Sequence, residues 1–238
     1  VPFCTQQGII KKTSLADYSR IRTNGIIAIN IREDDKVVDV CLTNGEEEII
    51  IANRNGRAIR FNESDVRVMG RGATGVKAIQ LDEDGEDAVV GMINIEDKET
   101  QSVLVVSEQG YGKRSEVDDY RVTKRGAKGV KTLNITEKTG KVVGIKAVTD
   151  DNDLMIINKS GIAIRLKMTD VRVMGRATQG VRLINLSKRN DEISSVCKVS
   201  SEDEEELQEG MISEEMNPDL PVEESTSENE VNNENNEQ

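Results

Sequence analysis

The chain is built from short apolar runs that are typical of β-strands. Runs such as EEEIIIAN, SVLVVS and DLMIIN are rich in Val, Ile and Leu and end in Asn or Ser, which favour turns. The tripeptides RNG and KSG stand between two such runs, and each predicts a tight hairpin in which glycine supplies the positive φ. The pattern predicts an all-β fold.

These hairpins recur along the chain as four units. After a second glycine in the later units, the stretches VKAIQL, VKTLNI and VRLINL alternate apolar and polar residues with the period of a strand. A fourth strand per unit is predicted at KVVDVCL, DAVVGMI, KVVGIKAV and EISSVCKV. The two glycines of a unit are 17 residues apart in the first unit and 19 in the others. The first glycines are Gly8, Gly56, Gly110 and Gly161, and the second are Gly25, Gly75, Gly129 and Gly180.

The repeat spacing predicts a propeller-like domain over residues 1–200. The first glycines are 48, 54 and 51 residues apart, and four strands in each such interval are typical of a propeller blade. We therefore expect 16 strands in four blades. An elongated β-solenoid is the alternative, but its repeats are usually shorter. The chain starts at Val1 and enters and leaves in mid-unit, so we expect a piece of a longer protein.

Charge divides the chain into a basic body and an acidic tail. The net charge of the 238 residues is −12, but residues 201–238 contain 15 Asp or Glu and no Lys or Arg. The remaining 29 acidic and 32 basic residues give residues 1–200 a net charge of +3. The tail is predicted to be disordered, because it has too few apolar residues to offset its ordering entropy. It either competes with a polyanion for the basic body or only solvates the chain.

Within the body, basic residues recur with the period of the units. Residues 8–31, 56–81, 110–135 and 161–186 sum to +14, whereas the stretches that connect them sum to −11. Four columns counted from the glycines hold 13 basic residues in 16 positions, and the exceptions, Asp17, Ile21 and Ile27, are all in the first unit. The columns are Lys12, Arg60, Arg114 and Arg165; Arg67, Arg121 and Arg172; Arg71, Arg125 and Arg176; and Lys77, Lys131 and Arg182.

A positive stripe that repeats with every blade predicts a polyanion ligand, and double-stranded DNA fits best. A solvated, salt-bridged surface is the simpler alternative, but it would mix both signs. Single-stranded nucleic acid is disfavoured because its bases stack on aromatic side chains and this chain has only five, two Phe and three Tyr. A scaffold that binds an acidic protein is the second functional hypothesis.

The composition argues against a catalytic or cofactor site in this chain. It has no histidine, and Cys4, Cys41 and Cys197 are isolated, so we expect reduced thiols in a cytosol. No apolar run approaches the roughly 20 residues that span a bilayer. The stretch 70–75, GRGATG, spells a dinucleotide-binding motif, but a strand rather than a helix is predicted after it. We therefore expect no catalytic residue, metal or cofactor here.

The phrases of the repeats resemble the C-terminal domain of the DNA gyrase A protein, the β-pinwheel of a type IIA topoisomerase. The resemblance rests on KKTSLADYSRIRTNGIIAI, GRAIRFNESDVRVMGRGATGVKAI and EQGYGKRSEVDDY, followed by the acidic tail, and it covers residues 1–200. The family normally has six blades, so this chain resembles the last four. The first-blade box QRRGGKG is absent, and 123–129, TKRGAKG, is its nearest relative here.

The resemblance implies that this domain bends and wraps duplex DNA and so supports ATP-dependent negative supercoiling. It also implies that the DNA-cleaving tyrosine and the sites for ATP and Mg lie elsewhere in the parent. The parent would pair two A subunits with two B subunits in the bacterial cytoplasm, at the nucleoid. The C-terminal domain of the topoisomerase IV subunit is the close alternative within the family, because the box that would separate the two is missing.

Overall fold

The computed structural model describes residues 1–83, 85–186 and 191–200, and this part of the chain is all-β, as predicted. It contains fifteen strands and four short 3-10 turns, at Leu15–Tyr18, Glu63–Asp65, Val117–Asp119 and Met168–Asp170. The strands are β1 (Pro2–Thr5), β2 (Ile9–Lys12), β3 (Val37–Val40), β4 (Glu48–Asn53), β5 (Arg57–Asn62), β6 (Val76–Lys77), β7 (Val89–Ile95), β8 (Ser102–Ser107), β9 (Tyr111–Glu116), β10 (Val130–Lys131), β11 (Val142–Val148), β12 (Asn152–Asn158), β13 (Ala163–Lys167), β14 (Val181–Arg182) and β15 (Ile193–Ser200).

The strands form four antiparallel sheets, one for each unit of the sequence. Their strand orders are β3-β1-β2-β6, β7-β4-β5-β10, β11-β8-β9-β14 and β15-β12-β13. The predicted hairpins are confirmed: β1 pairs with β2, β4 with β5, β8 with β9 and β12 with β13. The predicted fourth strand of each unit is β3, β7, β11 or β15, which pairs with the first strand of its hairpin.

In the second, third and fourth units, the strand that follows the second glycine pairs with the sheet of the preceding unit. In β6, Lys77 is opposite Ile9 and Val76 is opposite Ile10; β10 pairs with β5 and β14 with β9 in the same manner. We call residues 66–77, 120–131 and 171–182, which lead from a 3-10 turn to such a strand, the crossing segments. Each crossing segment therefore joins two neighbouring sheets covalently.

This exchange explains why the described residues form fifteen strands rather than the expected 16. The stretch after Gly25 has no sheet of an earlier unit in this chain to pair with, and it forms no strand. The fourth sheet accordingly has three strands. The exchanged strands also contain only two residues each, although their alternation predicts about six.

The exchange requires glycine where one backbone crosses another. Gly75 has a φ of +109°, and a Cβ atom there would lie 2.5 Å from the Ile10 carbonyl oxygen of the preceding sheet. Gly110 has a φ of +79°, and a Cβ atom there would lie 2.6 Å from the Ile184 carbonyl oxygen of the next unit. The nearly constant spacing of the two glycines therefore reflects two close backbone approaches, one on each side of the exchange.

The core lies between successive sheets rather than at one centre. Ile10, Ile49 and Phe61 pack between the first two sheets, and two further clusters occupy the next two intervals. Strands β3, β7, β11 and β15 pack against one another in succession, so they line a common inner side. We call the opposite ends of the sheets, which carry β6, β10 and β14, the outer edge.

The chain divides into two units, Val1–Ser201 and Glu202–Gln238. The predicted disorder of residues 201–238 lies outside the described residues. All three cysteines are free. Within the described residues, no helix is long and apolar enough to cross a bilayer.

Candidate nucleic-acid interface

Three of the four predicted basic columns lie on the crossing segments. Arg67, Arg121 and Arg172 each follow a buried residue at the end of a 3-10 turn, and successive residues of extended backbone face opposite sides. All three arginines are consequently exposed. Their side chains have no hydrogen-bond or ion-pair partner within the described chain.

The arginines four residues before the second glycine are half-buried and tie successive crossing segments together. Arg125 donates from Nε to the Asp65 carbonyl oxygen at 3.0 Å and from Nη1 to the Lys77 carbonyl oxygen at 3.0 Å. Arg176 repeats this one unit later, with Asp119 at 2.9 Å and Lys131 at 2.7 Å. Arg71 makes the corresponding bond to Ile27, from Nη1 at 3.3 Å. The backbone acceptors carry no full charge, so the guanidinium charge is not neutralised.

The third column on the crossing segments, Lys77, Lys131 and Arg182, is exposed on the exchanged strands. Lys131 donates to Asn134 Oδ1 at 3.3 Å, and Arg182 donates to the Tyr111 hydroxyl. Within the described residues, none of the nine basic residues in these three columns forms an ion pair with a carboxylate. A salt-bridged surface would have paired them, so the simpler alternative does not describe the crossing segments.

The structure corrects the prediction that the first column, Lys12, Arg60, Arg114 and Arg165, forms part of an exposed basic stripe. Arg60 and Arg114 are buried, with 5% and 6% of their surface exposed, and only 12% of the Lys12 side chain is exposed. Arg60 pairs with Glu48 at 2.5 Å, Arg114 with Asp150 at 2.7 Å and Lys12 with Glu63 at 3.6 Å. Arg165 pairs with Asp153 at 2.6 Å.

The physical reason is that this column faces the next unit. Arg60 Nη1 donates to the carbonyl oxygens of Val117 at 2.7 Å and Tyr120 at 2.9 Å, and Arg114 Nη1 donates to that of Met168 at 2.9 Å. Buried carbonyl groups need such partners, and a buried guanidinium can serve several at once. Lys12, Arg60 and Arg114 therefore hold the 3-10 turns that begin the crossing segments, and we assign these three residues to packing rather than to a ligand. Arg165, in the last unit, pairs with Asp153 of its own sheet, and 32% of its side chain is exposed.

The first unit departs from the columns, and its loop is two residues shorter than those of the other units. Its 3-10 turn, Leu15–Tyr18, aligns Asp17 with Asp65 rather than with Arg67. Beyond that turn Arg20 and Arg22 are exposed, and their side chains have no partner within the described residues. Counting from the second glycine missed both arginines, and counting from the acidic turn reaches Ser19 and Thr23 instead, so Arg20 and Arg22 lie outside the columns in either register.

Two lysines stabilise the crossing segments from inside. Lys113 is fully buried and donates to the Gly175 carbonyl oxygen at 3.0 Å and to Ser115 Oγ at 2.9 Å. Burial lowers the pKa of Lys113 to about 8. Lys11 likewise donates to the Arg71 carbonyl oxygen, and burial lowers its pKa. Each lysine fixes the loop that presents the exposed arginines.

The described residues hold no group of three or more His, Cys, Asp or Glu side chains that could bind a metal ion. The stretch 70–75 lies on a crossing segment and leads into β6, not into a helix. That context does not match a dinucleotide site.

One family matches the chain over the whole described body. The family model described as "DNA gyrase C-terminal domain, beta-propeller" matches residues 3–44, 47–96, 101–149 and 152–199. Each of the four matches corresponds to the hairpin and the fourth strand of one unit.

Individual relatives agree with the family match. The A subunit of DNA gyrase from Staphylococcus aureus (strain NCTC 8325 / PS 47) is 48% identical over 207 residues, which are 87% of this chain and 23% of the relative. That of Staphylococcus epidermidis is 48% identical over 202 residues, 85% of this chain and 22% of the relative. This chain therefore spans less than a quarter of the length of these relatives.

Two solved structures share the fold. A C-terminal domain of DNA topoisomerase IV superposes with a TM-score of 0.80 at 28% identity, covering 90% of this chain and 66% of that one. A DNA gyrase A C-terminal domain superposes with a TM-score of 0.73 at 30% identity, covering 83% of this chain and 64% of that one.

Proposed function

This chain belongs to the DNA gyrase C-terminal domain family of β-propellers, and on that premise we propose that it binds duplex DNA along its outer edge. The contacts are to backbone phosphates and do not read the base sequence, since hydrogen bonds to phosphate oxygens carry no sequence information. The crossing segments supply them.

One observation carries this proposal. Each crossing segment presents an exposed arginine at the same position after its 3-10 turn, and these arginines, Arg67, Arg121 and Arg172, have no carboxylate partner within the described residues. Guanidinium groups without a carboxylate partner, one on each crossing segment, favour a ligand with regularly spaced negative charge. Duplex DNA is such a ligand.

Contacts from several sheets at once would require the duplex to follow the outer edge. Bending 20–30 base pairs by 40–90° costs on the order of 1–6 kcal/mol, which distributed contacts can offset. Histone octamers use arginines in this way, once per helical turn and without base-specific contacts. We propose that this domain bends and wraps DNA on the same principle.

In the parent protein, this wrapping would give a type II topoisomerase its preference for negative supercoiling. We propose that the parent is the A protein of a bacterial DNA gyrase, in which two A subunits assemble with two B subunits in the cytoplasm, at the nucleoid. The DNA-cleaving tyrosine and the sites for ATP and Mg would lie outside this domain, which would bind DNA without a cofactor.

A topoisomerase IV subunit is the second candidate parent, with decatenation and substrate selection as its function. The TM-score of 0.80 to a topoisomerase IV domain favours it, against 0.73 for the gyrase domain. The 48% identity to the A subunit of DNA gyrase favours gyrase, and we give sequence more weight because both parents use this fold. A scaffold that binds an acidic protein remains the alternative outside the family's function.

Two measurements on the 238-residue chain test the proposal. Titration of a linear duplex at 50 and 200 mM salt should show affinity falling roughly 10³- to 10⁵-fold, as expected for six to ten phosphate contacts. When topoisomerase I relaxes a circular plasmid in the presence of the 238-residue chain, the plasmid should retain a change in linking number. The reason is that topoisomerase I cannot remove the superhelical turns that the bound protein holds in the wrapped DNA. Weak binding that does not change with salt would reject DNA and favour the acidic-protein scaffold.

A further inference from the structure

The third sheet carries a cationic pocket at its outer edge that the repeat columns do not account for. Three separate segments form it: Tyr111 begins β9, Lys138 lies on the loop between β10 and β11, and Arg182 lies on the exchanged strand β14. We call these three residues the Tyr111 pocket. Only Arg182 belongs to a predicted column.

Two positive charges converge on one phenol in this pocket. Lys138 Nζ lies 5.5 Å and Arg182 Cζ 5.7 Å from the centre of the Tyr111 ring. Arg182 also donates to the phenol oxygen from Nη2 at 3.2 Å. The hydrogen bond from Arg182 and the charges of Arg182 and Lys138 lower the pKa of Tyr111. Both cationic side chains are exposed, and neither has a carboxylate partner within the described residues.

The equivalent place in the second sheet carries a carboxylate. There Arg57 takes the position of Tyr111, and Asp82 takes the position of Thr136. Asp82 pairs with Lys128 at 2.6 Å and accepts a hydrogen bond from Asn55 at 3.1 Å, and both contacts lower the pKa of Asp82. The loop of the second unit reads DEDGE at 82–86, whereas that of the third reads TEKTG at 136–140.

The third sheet has thus exchanged a carboxylate for Thr136 and added Lys138 beside Arg182. Like charges held together without an internal partner favour an external anion. The Tyr111 hydroxyl accepts from Arg182, so its own hydrogen is available to donate to that anion. A tetrahedral oxyanion can accept from a lysine, an arginine and a hydroxyl together.

We propose that the Tyr111 pocket binds a phosphate of the DNA backbone, with Lys138, Arg182 and the Tyr111 hydroxyl as its three donors. This inference rests on the proposed function and adds a phosphate contact in the third sheet. It marks the third sheet as a position where the duplex is held more tightly than at the second. Free inorganic phosphate has the same chemistry, so the test separates the two sources.

The first arm measures DNA binding by Lys138→Gln against a matched control. Lys159→Gln removes the same charge from an exposed lysine that already pairs with Glu192 at 2.5 Å. Lys138→Gln should reduce the slope of log affinity against log salt by about 0.9, the value for one phosphate contact on B-DNA, and Lys159→Gln should leave it unchanged. Equal slopes for Lys138→Gln and the unaltered chain would overturn the pocket while leaving the proposed function intact.

The second arm follows the ionisation of Tyr111 by NMR of tyrosine labelled with ¹³C at Cζ, with Tyr111→Phe to assign the resonance. A bound phosphate should raise the pKa of Tyr111, because it neutralises the two cations and accepts the phenol hydrogen. We expect this rise with a 30-base-pair duplex and its loss in Lys138→Gln. A rise with inorganic phosphate but none with the duplex would overturn the proposal, because the pocket would then lie off the DNA path. Absence of any binding of the unaltered chain to DNA would reject the proposed function itself.

Discussion

The Nη1 atom of Arg60 lies 2.7 Å from the carbonyl oxygen of Val117, across the boundary between the second and third units. Arg114 and Met168 repeat this relationship at the next boundary, at 2.9 Å, and Lys12 and Glu63 at the previous one, at 2.8 Å. A basic side chain of each sheet therefore holds the turn from which the next crossing segment starts. The exposed arginines depend on this support for their positions.

Replacing Arg60 should lower stability and replacing Arg67 should not. Arg60→Met removes a buried guanidinium and leaves the Tyr120 carbonyl group without a donor, which should cost about 1–3 kcal/mol, whereas the Val117 carbonyl keeps the Tyr120 N–H as a donor. Arg67→Met changes an exposed side chain and should stay within about 0.5 kcal/mol. Urea unfolding measures both free energies. Equal losses of stability would contradict the assignment of the first column to packing.

Gly75 and Gly25 occupy the same position in their units but have different surroundings, so replacement by alanine should change the free energy of unfolding by different amounts. Gly75→Ala and Gly25→Ala both place a Cβ at positive φ, at +109° and +75°. Only Gly75 faces a backbone oxygen of another sheet, whereas no atom lies within 4 Å of the position of a Cβ at Gly25. Gly75→Ala should therefore lower the free energy of unfolding by about 1–3 kcal/mol more than Gly25→Ala. Equal effects would mean that backbone conformation alone requires the glycine.

Lys113 should make the fold more stable as the pH rises above 8. Burial lowers its pKa to about 8, Arg176 lowers it further, and Asp119 opposes the shift. The folded chain then loses this proton at a lower pH than the unfolded chain, whose lysine has a pKa of about 10.4. Because the unfolded state binds more protons between these values, the free energy of unfolding rises with pH across that interval.

Lys113→Met should abolish this rise, which amounts to at most about 3 kcal/mol at roughly 1.4 kcal/mol per pKa unit. Burial lowers the pKa of Lys11, the hydrogen bond from Arg182 lowers that of Tyr111, and burial raises that of Tyr120, so the difference between variant and unaltered chain is the quantity to compare. Urea unfolding at pH 7 to 10.5 measures this difference in the free energy of unfolding. Lys124→Met, at an exposed position, is the control. Parallel pH profiles for Lys113→Met and the unaltered chain would contradict the prediction.

Deleting residues 201–238 tests whether the acidic tail competes with DNA. Its 15 carboxylates would occupy the crossing segments at low salt, so residues 1–200 alone should bind a duplex more tightly than the full chain. The difference should shrink as salt rises, since screening weakens both contacts. An unchanged affinity for DNA at every salt concentration would mean that the tail does not compete with DNA and only helps to solvate the chain.

Periodicity and turn chemistry were sufficient to predict the hairpins, the number of sheets and the repeat. The exchange of strands could not be read from the sequence, because a strand such as Val76–Lys77 has the same pattern whichever sheet it joins. Its direct signature is the second glycine, whose need for space becomes clear only when Ile10 of the preceding sheet is placed beside it.

The candidate site was predicted in part for a related reason. Sequence spacing identified every basic column but could not separate a buried arginine from an exposed one. Arg60 and Arg67 both recur with the repeat, yet the first has carboxylate and carbonyl partners across a unit boundary and the second has none within the described residues. Two of the acceptors of Arg60 are the backbone oxygens of Val117 and Tyr120, which the sequence does not mark.

The most direct test of DNA binding along the outer edge is the salt dependence of binding by a chain in which Arg67, Arg121 and Arg172 are all replaced by Gln. The control replaces three lysines that form ion pairs, Lys98, Lys141 and Lys159, so that the net charge changes equally. We predict that the arginine variant loses about 2.7 from the slope of log affinity against log salt, about 0.9 per phosphate contact, at unchanged stability, and that the control retains its slope. Equal slopes in the two variants would contradict the assignment of these arginines to the DNA interface.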